Sequence, residues 1–292
     1  MIHYLKHHQI DKVKWDICIE NSSNSLVYGL SWYLDIVCEN WDALILDDYK
    51  AVMPLPWKQK FGLKYIYHPF FAQQLGVFSQ SEDNFSIVNF LQKIPKRFIK
   101  YECSLNASNI CENIKVDERL NLILKLDKPY EDISKQFNTN TKRNIKKNMN
   151  AGWTLKNDIS VSNFLQLKKE NPVSELNKSN FKTLELLFNT LLDKNLAQII
   201  GITDTENTLI SAAIFVTFKN RIIYLFSASA NTGKSNSSMF KIINQVIKAN
   251  CESNQLIDFE GSMIPGVARF FKGFGAIEEF YFKVSSKHIP FI

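Results

Sequence analysis

Two hydrophobic periods alternate along this chain, and their order repeats. Leu30, Tyr33, Leu34 and Val37 are spaced for one face of a helix over 30–40. Short apolar runs follow at 41–46, 50–55 and 64–67, which read as a three-strand meander with a turn at Asp47-Asp48. Pro54 and Pro56 are expected to end the second of these strands. Phe85, Val88 and Leu91 predict a further helix that Pro95 ends, followed by strands near 96–101 and 120–126. After Pro129 come two helices, 130–137 and 141–150. The second is capped by Asn138-Thr139-Asn140, stopped near Gly152, and has Ile145 and Met149 facing inward.

The same order then recurs. An amphipathic helix over 180–192 (Phe181, Leu184, Leu187, Phe188, Leu191) precedes strands at 196–203, 209–218 and 221–228. A helix over 237–249, a strand at 256–260 and a final strand beyond Phe280 complete the chain. The pattern of helix, meander, helix and strand therefore occurs twice, offset by roughly 155 residues, a repeat of domain size. It predicts an α/β protein of two similar halves, residues 1–138 with 280–292 and residues 139–279, built on mixed, mainly antiparallel sheets. A cleft between such halves is the expected place for a ligand.

Composition narrows the class. Of 292 residues, 45% are hydrophobic and 22% charged, which suits a folded globular chain. A net charge of +6 permits an anionic ligand but is too diffuse for a dedicated DNA binder. Cys18, Cys38, Cys103, Cys111 and Cys251 show no metal spacing, so free thiols in a reducing compartment are expected. No run reaches the roughly 18 apolar residues of a membrane span, and the first residues lack the apolar core of a signal peptide. These features predict a cytoplasmic protein. His7-His8 are read as incidental, and no metal site is expected.

Three stretches carry candidate chemistry. The first, 256–274, reads LIDFEGSMIPGVARFFKGF. Strand alternation puts Asp258 and Glu260 on one side of a strand end beside a Gly-Ser turn. Such carboxylates form a site, or they cap the next helix or pair with a cation. In the second, Lys142, Arg143, Lys146 and Lys147 form two basic rows on a helix, either a solvated face or a phosphate-contacting surface. The third, ASANTGKS over 228–235, departs from the P-loop pattern G-x-x-x-x-G-K-S/T at Ala228 and follows a meander strand. It reads as an ordinary helix start or as an anion site at a helix N-terminus, with Gly233, Lys234, Ser235, Ser237 and Ser238 as its residues.

Those stretches resemble a known family. The meander ending in YLFSASA, the Ser/Gly/Lys loop, the following helix and IDFEG look like the GNAT superfamily of N-acyltransferases. Asp258 to Ser262 with Gly266 to Ala276, and Thr141-Lys142-Arg143-Asn144-Ile145, resemble Fem-type transferases, which are built of two GNAT-like halves. The resemblance implies amide-bond formation on a small-molecule or peptide amine. The donor is expected to be acetyl-CoA or another acyl-CoA, with no tightly bound cofactor. The alternative partner is aminoacyl-tRNA, serving a cell-wall precursor. A third option is a GNAT-fold binding protein that has lost its donor site. Two departures are visible. The pyrophosphate loop Q/R-x-x-G-x-G/A would fall on Lys234 to Met239, which has neither glycine, and the Fem motif F-K-K-G-F has Phe271 at its first lysine.

In this fold the strands 221–228 and 256–260 are expected to splay apart and expose backbone groups to the donor carbonyl. Glu260, or Asp258 through water, is the candidate base. Tyr224 and Lys272 are candidates for holding the leaving group or oxyanion. Lys142, Arg143, Lys146 and Arg269 would face a phosphate-bearing substrate. Trp57 and Tyr67 would line the acceptor side, as would Lys58, His68 and Gln74, or all five are ordinary loop residues; His68, followed by Pro69, is not expected to be catalytic.

Overall fold

A computed structural model describes residues 1–80, 86–111, 114–149, 152–172, 176–261 and 263–287. The chain forms two compact units, Met1–Leu120 with Phe280–Ile292, and Asn121–Glu279. Residues 121–138, assigned to the first half on sequence, thus fall in the second unit.

The first unit holds β1 (Ile2–Leu5), α1 (Lys12–Asn21), α2 (Ser31–Val37), β2 (Trp41–Leu46), β3 (Ala51–Lys60), β4 (Leu63–Ile66), β5 (Phe78–Ser79), α3 (Ile87–Gln92) and β6 (Lys100–Ser104). Its sheet runs β1-β2-β3-β4, with β5 also pairing with β3. Phe85, expected to open α3, lies outside the described residues. Pro54 and Pro56 do not end β3, which runs straight through them and pairs them with Ala43 and Trp41 of β2. Residues two apart point their backbone nitrogens the same way. Trp57 donates toward β2 (N to Asn40 O, 2.9 Å), so both proline nitrogens face the other edge. There the β5 pairing covers Ala51 and Val52, and the β4 pairing begins at Trp57. The prolines occupy the interval where no ladder donor is needed. Trp15, Tyr28, Tyr33, Trp41, Phe78, Phe90 and Phe98 fill the core.

β7 (Asp117–Lys125) carries the chain into the second unit. It continues through α4 (Tyr130–Lys135), α5 (Thr139–Met149), β8 (Thr154–Lys156), α6 (Val161–Glu170), α7 (Lys178–Asp193), β9 (Ala197–Thr203), β10 (Leu209–Phe218), β11 (Arg221–Ser229), α8 (Asn231–Ser235), α9 (Met239–Asn250), β12 (Leu256–Asp258) and α10 (Pro265–Lys272). β13 (Ile277–Lys287) leads back to the first unit, where it pairs with β6. The second unit's sheet runs β7-β12-β11-β10-β9-β8, antiparallel except for β11 with β12. The meander β9-β10-β11 repeats β2-β3-β4. Even the parallel pairing has its echo, in a single bridge of Lys64 to Phe98. The fold is therefore α/β with mixed, mainly antiparallel sheets. Among the described residues no helix is long and apolar enough to cross a membrane. All five cysteines are free.

His68 belongs to this framework. Its Nε2 donates to Ala72 O at 2.7 Å, and its Nδ1 accepts from Ser104 N at 3.2 Å, which fixes the neutral tautomer. Burial lowers its pKa to about 4, against the pull of the Ala72 and Gln73 carbonyls and of Glu102. The folded form thus resists a proton that the unfolded chain takes up near its ordinary value. Stability from this group is complete above about pH 6.5 and is lost as pH falls toward 4, by up to about 3 kcal/mol. Urea unfolding between pH 7.5 and 4 should show this loss, and His68→Gln should flatten it.

Candidate functional site

The two stretches that carry the family resemblance pack against each other. Asn138 caps α5 by accepting from Thr141 N at 2.8 Å, while its own N–H donates to Gly273 O at 2.9 Å. A Cβ on Gly273 would stand 2.6 Å from Thr141 Oγ1, so only glycine admits this approach. Gly275, at φ +82°, would bring a Cβ to 3.0 Å from Gln136 Cβ, and Phe137 meets Phe274 edge-on at 5.4 Å. The α4–α5 turn and the end of α10 form one corner.

That corner presents cations. Lys142, Arg143 and Lys146 are exposed on α5, and Arg269 is exposed on α10. Arg143 donates to its neighbour Asn140 at 2.9 Å, and Lys142 reaches Lys135 O at 3.0 Å. Lys272, read from sequence as an oxyanion holder, is instead on the surface and ion-paired with Glu278 at 2.5 Å.

The wedge between β11 and β12 is the second feature. Their parallel ladder covers Arg221 to Ile223 against Leu256 to Asp258 and stops there, while β11 runs on to Ser229. Past this point the β10 register slips so that Ile214 opposes Phe226 and Phe215 opposes Tyr224, leaving Leu225 as the extra residue of a bulge. Tyr224 packs against Phe215 and Phe271, both at 5.5 Å, and Phe271 stacks on Phe259 at 4.4 Å. Burial holds the Tyr224 phenol well above its ordinary pKa, opposed by a hydrogen bond with Ser227, so it stays protonated.

The two carboxylates part company. Asp258 is 1% exposed, with Oδ2 2.6 Å from Arg221 Nη1. Arg221 also binds Glu279 at 2.9 Å, and Glu279 accepts from Asn121 at 2.8 Å. Burial raises the Asp258 carboxyl against the pull of Arg221. For Arg221 itself burial disfavours the charge, but the two acids outweigh it and raise its pKa. The shared strand face expected for Asp258 and Glu260 does not form, because β12 ends at Asp258. Asp258 Oδ1 accepts from Glu260 N at 2.9 Å, and Glu260 and Gly261 both turn left-handed, at φ +53° and +51°. A left-handed glutamate is strained by about 1 kcal/mol, a cost found mainly where function holds a residue in place. Glu260 stays partly exposed at the strand end.

The Ser/Gly/Lys loop is built differently from expectation. Residues 231–235 form the short helix α8. Gly233 is buried against β10, where a Cβ would lie 2.4 Å from Ile210 O. Ser238, fully buried, bonds Ser211 at 2.5 Å and Gly233 O at 3.0 Å. Ser235 bonds Thr232 O at 3.1 Å, and Ser237 is a left-handed hinge at φ +60°. At the start of α9 the N–H groups of Ser238, Phe240 and Lys241 are bonded to Gly233, Ser237 and Ser238 carbonyls. Gly233 and Ser238 are thus packing residues, and those three amides do not form an anion cradle. Lys234 is exposed.

In the first unit, Trp57 lines a pocket of about 170 Å³ with His7, Asp35, Glu39, Trp41 and Asp42. Tyr67 lies beneath Lys58, 4.7 Å from the ring centre, and its hydroxyl accepts from Glu39 N. Among the described residues no group of three or more His, Cys, Asp or Glu could hold a metal ion; His7 pairs with Asp35.

No family model and no curated protein matches the chain. Solved structures do. FemX aligns over 96% of this chain and 96% of its own, with a TM-score of 0.68 at 11% identity. The chain has the tandem GNAT-like fold of FemX. A tandem GNAT protein from the clavulanic acid biosynthesis pathway aligns over 100% of both chains, with a TM-score of 0.60 at 10% identity. L-PGS from Bacillus licheniformis covers 94% of this chain and 90% of its own, at 0.55 and 11%.

Two groups escaped the sequence reading. Arg221, at the start of a strand, carried no sign that its partners were Asp258 and Glu279, far along the chain. Lys168 of α6 did carry one. It follows Val161, Phe164 and Leu165 at helical spacing and so falls on the apolar stripe. Breaking the Arg221 cluster leaves the buried Asp258 without its counter-charge. Arg221→Met should cost about 3–5 kcal/mol in urea unfolding, whereas Lys272→Ala should cost under about 1 kcal/mol.

Proposed function

We propose that this protein is an acyltransferase that forms an amide bond on an amine acceptor, working in the wedge of the second unit. The observation that carries this reading is the three-residue β11–β12 ladder, which releases Tyr224 to Ser229 from β12 just where Glu260 leaves the strand end. The acceptor nitrogen attacks the donor carbonyl carbon and its proton passes to Glu260. The bond from that carbon to the carrier oxygen or sulfur breaks, and the leaving atom takes the Tyr224 proton. Asp258, buried and bonded to Arg221, acts only as a positioning residue that holds Glu260 through its backbone N–H.

The loop supports a choice of donor. Acyl-CoA in the GNAT manner needs free amides at the start of α9, and three of those are already bonded internally. The exposed cations Lys142, Arg143, Lys146 and Arg269 suit a phosphate backbone instead. Aminoacyl-tRNA is therefore the favoured donor and acyl-CoA the second reading. An amino acid or peptide amine, such as one on a cell-wall precursor, is the acceptor class. These assignments favour a cytoplasmic enzyme.

The test is single-turnover transfer from labelled aminoacyl-tRNA and from acetyl-CoA to a panel of amines. Transfer from tRNA alone is the expected result. Glu260→Gln should lower the rate by about 10²–10⁴-fold with little change in donor affinity. An unchanged rate would remove the base assignment. Lys142→Glu with Arg143→Glu should weaken tRNA binding and reduce its dependence on salt.

A further inference from the structure

Lys168 is 7% exposed, sits on the face that α6 turns toward β10 and β11, and takes part in no ion pair among the described residues. Its ammonium donates to Ser227 O at 3.3 Å and lies 4.9 Å from the centre of the Phe226 ring. Burial lowers its pKa, and the like charge of Lys234 lowers it further. An ammonium removed from water without a counter-charge is a cost to the fold. The stripe of Val161, Phe164 and Leu165 would be completed more cheaply by leucine or methionine. Ser227 lies four residues past the end of the β11–β12 ladder, and Ser227 also bonds Tyr224. The unbalanced cation thus stands at the wedge.

We propose that Lys168 anchors a carboxylate of the acceptor, the α-carboxylate of an amino acid or a C-terminal carboxylate of a short peptide, on the α6 side of β11. One buried positive charge is neutralised by one monoanion. A phosphate dianion would leave net negative charge beside Phe226, Phe188 and Phe164, which touch ring to ring. Lys234 at the surface draws the anion in. The backbone N–H groups at the start of α9 play no part, which separates this site from a pyrophosphate loop. Naming the carboxylate as the acceptor's rests on the acyl-transfer reading; the anion site does not.

Equilibrium binding tests it without turnover. Thermal unfolding is followed in acetate, chloride and phosphate at equal ionic strength, and with alanylalanine against its C-terminal amide. The wild type should be stabilised by acetate over chloride and by alanylalanine over the amide. Lys168→Met should melt higher than wild type in chloride, having lost an uncompensated charge, and should bind acetate at least about tenfold more weakly. Lys234→Ala, at an exposed position, should weaken acetate binding less. Equal responses to acetate and chloride, equal responses to the peptide and its amide, or stabilisation by phosphate alone would overturn the carboxylate assignment. So would acetate binding unchanged in Lys168→Met, or a lower melting temperature of that variant in chloride. Should Lys168→Met not fold, the wild-type peptide pair and Lys234→Ala still decide the matter. A wild type that binds carboxylate but transfers no acyl group would leave this site standing and remove the transferase reading.

Discussion

The cluster of half-buried Arg221 and Glu279 with buried Asp258 is the constraint on which the second unit turns. It joins the first residue of β11 to the last of β12 and to β13, and Asn121 of β7 completes it. Such clusters contribute little net stability, because removing charges from water costs nearly what their attraction returns. What they supply is register. A one-residue slip of β12 would leave a carboxylate and a guanidinium buried apart. The strands are therefore pinned at one end, and with a ladder only three pairs long they part at the other.

The groups of the proposed transfer lie toward the open end. The bulge at Leu225 sets Tyr224 among phenylalanines, where burial raises its pKa so that the resting phenol carries its proton. Asp258, committed to Arg221, uses its remaining oxygen to hold the backbone of Glu260 in a left-handed turn. One acid serves structure so that its neighbour, two residues on, can stay partly exposed. The close contact of Gly273 with Thr141 then ties α10 to α5 and gathers their cations into one corner.

The loop after β11 shows that a strand-to-helix turn rich in Gly, Lys and Ser is not by itself an anion site. A helix N-terminus binds anions when its first amides are free. Here α8 packs Gly233 onto β10, and the left-handed Ser237 turns the chain so that carbonyls from this same loop satisfy α9. The missing glycines were visible in the sequence. That the amides are already bonded was not, since it depends on how α8 sits against Ile210 and Ser211.

Periodicity alone located the meanders, the long helix α7 and the twofold order of elements, because each rests on spacing along one segment. The motif stretches were legible for the same reason. Their residues are near neighbours in sequence, and Asn138 caps a helix that starts beside it. Tertiary structure decided the rest. Pro54 and Pro56 read as strand breakers until the gap between β5 and β4 shows that their nitrogens face no partner. Asp258 and Glu260 read as a pair until Arg221, 37 residues earlier, takes one of them. Lys168 shares its helix face with Val161, Phe164 and Leu165, but only the packing of that face onto β10 and β11 buries its charge. Local pattern sets which elements form, because backbone hydrogen bonding and side-chain period act within a few residues. Which charges end up buried, paired or alone depends on contacts between segments that only the folded chain brings together.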